Sequence, residues 1–149
     1  MDVIDFLIEN NLSISCAESC TGGLLSAKFI ARPGVSKIFR EAIIAYSDIS
    51  KIERLGVSMK TLDKFGAVSK QVAIEMLSNL KTDIAVSITG LAGPNSDKSN
   101  KPVGLIYIGL KIKNNTFVRE FNFEGTREVI QKRAVDAALD FLEKKLTGA

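Results

Sequence analysis

The chain has 149 residues, 46% of them hydrophobic and 25% charged, with a formal net charge of +3. That is enough for one domain with its own core, spanning 1–149, and too little positive charge for the basic stripe of a nucleic-acid binder. It contains no histidine, which excludes a Ser-His-Asp triad, a Cys-His pair and any His-ligated metal site.

No stretch approaches about 18 apolar residues, so no membrane span is expected. The opening "MDVIDFLIENN" carries acids early and shows no cleavage site, unlike a signal peptide. A cytosolic location is expected. Cys16 and Cys20 have no further thiols to pair with, and a structural disulfide is uncommon in that compartment. Cys16, in a strand, reads as a buried thiol. Two cysteines without histidine do not make a zinc site.

The elements follow in chain order. Asp2 to Asn10 reads as a short helix with Val3, Ile4, Leu7 and Ile8 on one face. Leu12 to Ala17 alternates as a strand does. Thr21 to Ala31 reads as a mostly apolar helix, followed by an Arg-Pro-Gly turn at 32–34. Phe39 to Tyr46 is a second strand. Ser50 to Leu55 is a helix closed by Gly56, and Met59 to Lys64 another closed by Gly66. Ser69 caps a predicted helix over 70–81. Asp83 to Thr89 is a nearly continuous apolar run, as buried strands are. A Gly/Pro/Ser/Asn-rich loop fills 90–102. Strands over 103–112 and 117–123 are joined by a tight turn at Asn114-Asn115, making an antiparallel pair. Arg127 to Leu146 is a long final helix. This order predicts a three-layer α/β/α sandwich with a mixed, mostly parallel sheet.

Ligands collect beyond the carboxyl ends of strands in such folds. Three segments converge there: "ESCTGG" at 18–23, "YSDISK" at 46–51 and "TGLAGPNSD" at 89–97. In the first, glycines let backbone approach a ligand, and N–H groups at a helix start favour an anion or oxyanion. Ser19, Cys20 and Thr21 are all candidate nucleophiles. Ser19 and Thr21 also fit as plain helix caps. Without histidine the base must come from another residue type, and Lys51 is best placed, five residues after Tyr46. An unperturbed lysine is protonated at neutral pH and must lose roughly three pKa units to serve. The 90–102 loop lacks the Gly-Lys-Ser/Thr ending of a Walker loop. Arg127 opens the last helix against the macrodipole, a placement that suits a ligand contact.

Taken together, "AESCTGG" (17–23), "YSD..K" (46–51), "FGAVS" (65–69), "TGLAGP" (89–94), "KPVG" (101–104) and "GTR" (125–127) resemble the CinA C-terminal domain family of nicotinamide-nucleotide amidases. The resemblance covers nearly the whole chain. It implies metal-independent hydrolysis of the carboxamide of nicotinamide mononucleotide to nicotinic acid mononucleotide and ammonia, with no cofactor. By position it implies Ser19 as nucleophile, Lys51 as base and Tyr46 as an assisting group. Thr21, Gly22 and Gly23 would donate to the oxyanion or phosphate. Thr89, Gly90, Ala92 and Gly93 would line the nucleotide site, and Arg127 would pair with the phosphate. The partner is a small nucleotide, with neither nucleic acid nor membrane involved, and a homodimer is expected. The starting methionine favours a stand-alone form over an excised domain.

The sequence departs from the family at Asp48, where Asn is usual, and at "GTR", where "GDR" is frequent. A carboxylate near Lys51 raises the lysine's pKa and opposes its use as a base. The alternative reading is therefore a catalytically silent nucleotide-binding or regulatory module of the same fold; a second is a hydrolase of another small amide, with the 90–102 loop selecting the substrate.

Overall fold

The protein was analysed as a computed structural model that describes residues 2–148. Alternation along the buried strands sets the architecture. Five strands, β1 (Ile14–Glu18), β2 (Phe39–Ile44), β3 (Ile84–Gly90), β4 (Leu105–Ile112) and β5 (Asn115–Asn122), form one sheet in the order β2-β1-β3-β4-β5. β1 pairs in parallel with β2 and β3, while β4 runs antiparallel to β3 and β5. Four strands therefore point one way and only β4 is reversed.

On one face Ile14, Cys16, Ile84, Val86, Ile88, Ile106, Ile108 and Leu110 pack against α1 (Val3–Glu9), α2 (Leu24–Ile30) and α6 (Arg127–Thr147). On the other face Ala17 and Ala85 pack against α3 (Asp48–Leu55), α4 (Met59–Phe65) and α5 (Lys70–Glu75) through Leu55, Leu62 and Val72. The small alanines on this second face let those helices lie close to the sheet. The result is the expected three-layer sandwich. Among the described residues no helix is long and apolar enough to cross a membrane.

Several boundaries differ from the sequence-based expectations, and three of them have a clear physical cause. The helix expected from Thr21 begins at Leu24, because Gly22 and Gly23 adopt φ values of 57° and 108° and form a left-handed turn first. The helix expected over 70–81 ends at Glu75. Beyond it the chain tightens into i→i−3 bonds, from Leu77 N–H to the Ile74 carbonyl and from Ser78 N–H to the Glu75 carbonyl. Lys111 on β4 closes this segment by donating to the Leu77 carbonyl (3.0 Å) and the Leu80 carbonyl. The hairpin turn falls one residue early. Ile112 pairs with Asn115, so Lys113 and Asn114 form the turn and Lys113 takes φ 55°. The Lys113 N–H is held by the Asp83 carbonyl at 2.8 Å, which fixes that register.

Candidate active site

Strand alternation also arms the site. Residues 14 and 16 face the α2 side, so Glu18 follows them, and the next residue faces the opposite way. Ser19 continues the ladder by one bond, its N–H donating to the Ile88 carbonyl at 3.0 Å. Its hydroxyl thus points toward α3.

There it meets Lys51. Ser47 caps α3, its Oγ accepting from the Ser50 N–H at 3.1 Å. This starts the helix at Asp48 rather than Ser50 and turns Lys51 inward. Lys51 is only 1% exposed. Its Nζ donates to Ser19 Oγ at 2.9 Å and to the Tyr46 carbonyl at 2.8 Å. Burial pushes the Lys51 amine below its ordinary value; Asp48 and Cys20 push the other way and are outweighed. The carboxylate that departs from the family pattern therefore opposes the lysine's neutral form without reversing the net direction.

Of the three candidate nucleophiles, Ser19 is the one in contact with Lys51. Thr21 donates its hydroxyl to Glu18 Oε1 at 2.6 Å, on the α2 side. Cys20 lines the cleft, but burial pushes its thiol up to about 12, so it stays protonated at neutral pH. Burial raises the Cys16 thiol as well.

The cleft over this pair has a volume of about 290 Å³. Ser19, Tyr46, Lys51, Thr89, Gly90, Ala92, Gly93 and Arg127 line it, as the sequence suggested. Thr89 is oriented by donating its hydroxyl to the Ala67 carbonyl at 2.8 Å. Gly90 is required by the neighbouring strand, since a Cβ there would lie 2.7 Å from the Leu105 carbonyl oxygen. Arg127 spans the mouth: its guanidinium donates to the Gly93 carbonyl at 2.5 Å and to the Tyr46 hydroxyl at 3.2 Å. The Tyr46 ring is 64% exposed. What Tyr46 offers Lys51 is its backbone carbonyl, not its hydroxyl.

Thr21, Gly22 and Gly23 do not line the cleft, a correction to the donor role expected of them. The Gly23 N–H is taken by Glu18 Oε1 at 3.1 Å, and the Gly22 N–H returns to the Ser19 carbonyl at 3.1 Å.

Cys20 lines the wall, as do Leu91, Asn95, Ser96 and Asp97 of the 89–97 segment; sequence reasoning did not place Ala67 and Val68 at the site. Their placement depends on Lys101, whose Nζ donates to the Phe65 carbonyl (2.6 Å) and the Val68 carbonyl. That lysine ties the 90–102 loop to the turn between α4 and α5. The segments "FGAVS" and "KPVG" were visible as motifs, but nothing in their spacing shows that one clasps the other. Among the described residues no group of three or more His, Cys, Asp or Glu side chains is arranged to hold a metal ion.

Comparison with known proteins agrees in extent and in fold. The family model described as the CinA C-terminal domain matches residues 1–146. The chain is 50% identical over 148 residues to a competence-damage inducible protein of Clostridium botulinum, covering 97% of this chain and 36% of that one. It is 50% identical over 145 residues to the protein of the same name in Clostridium tetani, covering 95% of this chain and 36% of that one. It thus spans little more than a third of the length of these relatives. Among solved structures, competence damage-inducible protein A of Klebsiella pneumoniae matches with a TM-score of 0.93 at 31% identity, over 97% of this chain and 92% of that one. The competence/damage inducible protein CihA of Agrobacterium tumefaciens matches with a TM-score of 0.89 at 35% identity, over 94% and 88% of the two chains. With the fold, the loop cluster and the reach of these matches in agreement, the chain belongs to the CinA C-terminal domain family.

Proposed function

We propose that the chain is an amidohydrolase that converts nicotinamide mononucleotide to nicotinic acid mononucleotide and ammonia. The observation that carries this reading is the buried Lys51 amine 2.9 Å from Ser19 Oγ at the floor of a nucleotide-sized cleft. Burial holds Lys51 below its ordinary pKa, which favours the neutral amine that a base must be.

Ser19 Oγ attacks the carboxamide carbon as its proton passes to Lys51. The tetrahedral intermediate collapses, the C–N bond breaks, and Lys51 returns the proton to the departing ammonia. Water then attacks the acyl-serine with Lys51 again taking a proton; the acyl–Oγ bond breaks, Lys51 returns that proton to Ser19 Oγ, and the acid leaves as its carboxylate. The Gly23, Leu25 and Ser26 N–H groups are committed to Glu18 and that of Leu24 to the Thr21 carbonyl, so the oxyanion's donor comes from earlier in the turn, at Cys20 on the cleft wall. Arg127 at the cleft mouth suits the substrate phosphate, exchanging its Gly93 contact for a charge-assisted one.

The test is ammonia release from nicotinamide mononucleotide, with chelator present, by the parent chain and by Ser19→Ala. The parent is expected to turn over and Ser19→Ala to fall by about 10³-fold or more. Saturable nucleotide binding without ammonia from the parent would instead identify a silent binding module.

Asp48 supplies a second expectation. Its charge raises the Lys51 pKa, so Asp48→Asn lowers it further. The free enzyme's base sets the acid limb of the kcat/KM profile. That limb is expected to move to lower pH in Asp48→Asn and to become less sensitive to added salt. A limb that stays in place, or moves up, would show that Asp48 does not act on the base.

A further inference from the structure

Glu18 takes no part in the proton path above, yet it is the most enclosed charged-type side chain next to it, at 0% exposure. Five donors converge on its two oxygens. Oε1 accepts from the Thr21 hydroxyl (2.6 Å), the Gly23 N–H (3.1 Å) and the Leu25 N–H (3.1 Å). Oε2 accepts from the Ser26 N–H (2.8 Å) and the Ser26 hydroxyl (2.5 Å). All come from residues 21–26, the turn after Ser19 and the first turn of α2. The side chain stands where a Ser or Asp cap would serve an ordinary helix, but it reaches there from the strand. Strand end and helix start are thereby tied through the residue next to the nucleophile.

Other bonds hold the same turn from other sides. The Ser19 N–H is held by β3, and Gln131 of α6 donates to the Cys20 carbonyl at 2.9 Å. Glu18 is what ties the strand end to the start of α2. None of its five bonds reaches Lys51; what Glu18 holds is the turn that carries Ser19.

We infer that Glu18 is a positioning residue whose buried carboxylate fixes the 19–23 turn, so that Ser19 Oγ is set against Lys51 Nζ before any ligand arrives. The inference rests on Ser19 being the nucleophile, as proposed above.

Glu18→Gln preserves volume but turns an amide NH2 toward N–H donors whichever way it lies, because both oxygens face such donors. The rate of Ser19 modification by phenylmethanesulfonyl fluoride, located by mass spectrometry, is expected to fall by about 10- to 100-fold. The kcat for nicotinamide mononucleotide falls with it, while KM and the acid limb of the pH profile stay where they are. Ser58→Ala, which removes the cap of α4, is the control for stability alone: its melting temperature drops and its labelling rate does not. Thr21→Val removes one Oε1 donor more gently and is expected to slow labelling by a smaller factor, which keeps the test open should Glu18→Gln fail to fold. Parental labelling rates in folded Glu18→Gln, or in Thr21→Val, overturn the positioning role and leave Ser19 as nucleophile. An acid limb that moves in Glu18→Gln also overturns it, in favour of a role in proton transfer. No labelling and no ammonia from the parent removes the nucleophile and the positioning role together.

Discussion

Lys51→Met is expected to lower turnover of nicotinamide mononucleotide by about 10³-fold, the usual scale of a lost general base, with nucleotide affinity changed only slightly. Methionine fills the same unbranched volume, so the cleft keeps its shape while losing the amine. The same variant reports on stability. The unfolded chain carries a lysine near 10.5, and the folded chain a lysine below that. Between those two values the unfolded state binds more protons, so the lysine's contribution to stability rises with pH and is greatest above the unfolded value. The melting temperature of the parent, relative to Lys51→Met, is therefore expected to climb as pH rises from neutral toward 10.5. Thermal melts of both chains in matched buffers measure this difference and cancel the other titrating groups. A flat difference would mean that Lys51 is not held neutral by its surroundings, and the proposed base would lose its support.

Gly104→Ala is expected to be the most damaging single methyl. Gly104 has φ 94°, and an added Cβ would stand 1.8 Å from the Phe123 carbonyl oxygen. Neither backbone can yield freely, since the Gly104 N–H donates to the Leu91 carbonyl at 2.7 Å and the Gly104 carbonyl accepts from the Phe123 N–H at 2.9 Å. Conformational strain and overpacking together amount to roughly 3–5 kcal/mol. That corresponds to a melting temperature lower by about 10 °C for a chain of this size. Gly34→Ala is the informative contrast. Gly34 has a similar φ of 87° but nothing within 4 Å of a Cβ, so about 1 kcal/mol of strain is expected there. Equal shifts in the two variants would show that backbone strain, not the clash, dominates. Because Leu91 lines the cleft, Gly104→Ala is also expected to weaken nucleotide binding.

Much of this site was readable without coordinates because it obeys a topological rule. Ser19 and Lys51 follow parallel strands and the Thr89–Gly93 segment ends one, all at carboxyl ends, and parallel strands bring such ends together. The missing histidine then narrowed the choice of base. What the sequence did not disclose depends on side chains reaching across the fold. Glu18 bonds to residues as far on as Ser26, a link that no periodicity records, so the donors at Thr21 and Gly23 looked free for a ligand when they were already taken. The early end of α5 reflects Lys111, which arrives from β4 more than thirty positions later. The hairpin slipped by one residue because the Asp83 carbonyl captures the Lys113 N–H. In each case local propensity gave way to a polar group supplied from a distance.

Ser19 and Lys51 rest on ground of unequal firmness. Ser19 extends β1, which is flanked by a strand on each side, whereas Lys51 is carried by α3 directly after β2, an edge strand of the sheet. Outer strands exchange their amide hydrogens sooner and open at lower free energy than enclosed ones. Warming or proteolytic nicking at that margin separates the two partners while the two packed faces of the sheet remain intact. A preparation that opens there is expected to stay folded by bulk spectroscopic measures while losing the Ser19–Lys51 contact, so hydrogen exchange at the β2–α3 rim, rather than a melting curve, reports on the pair.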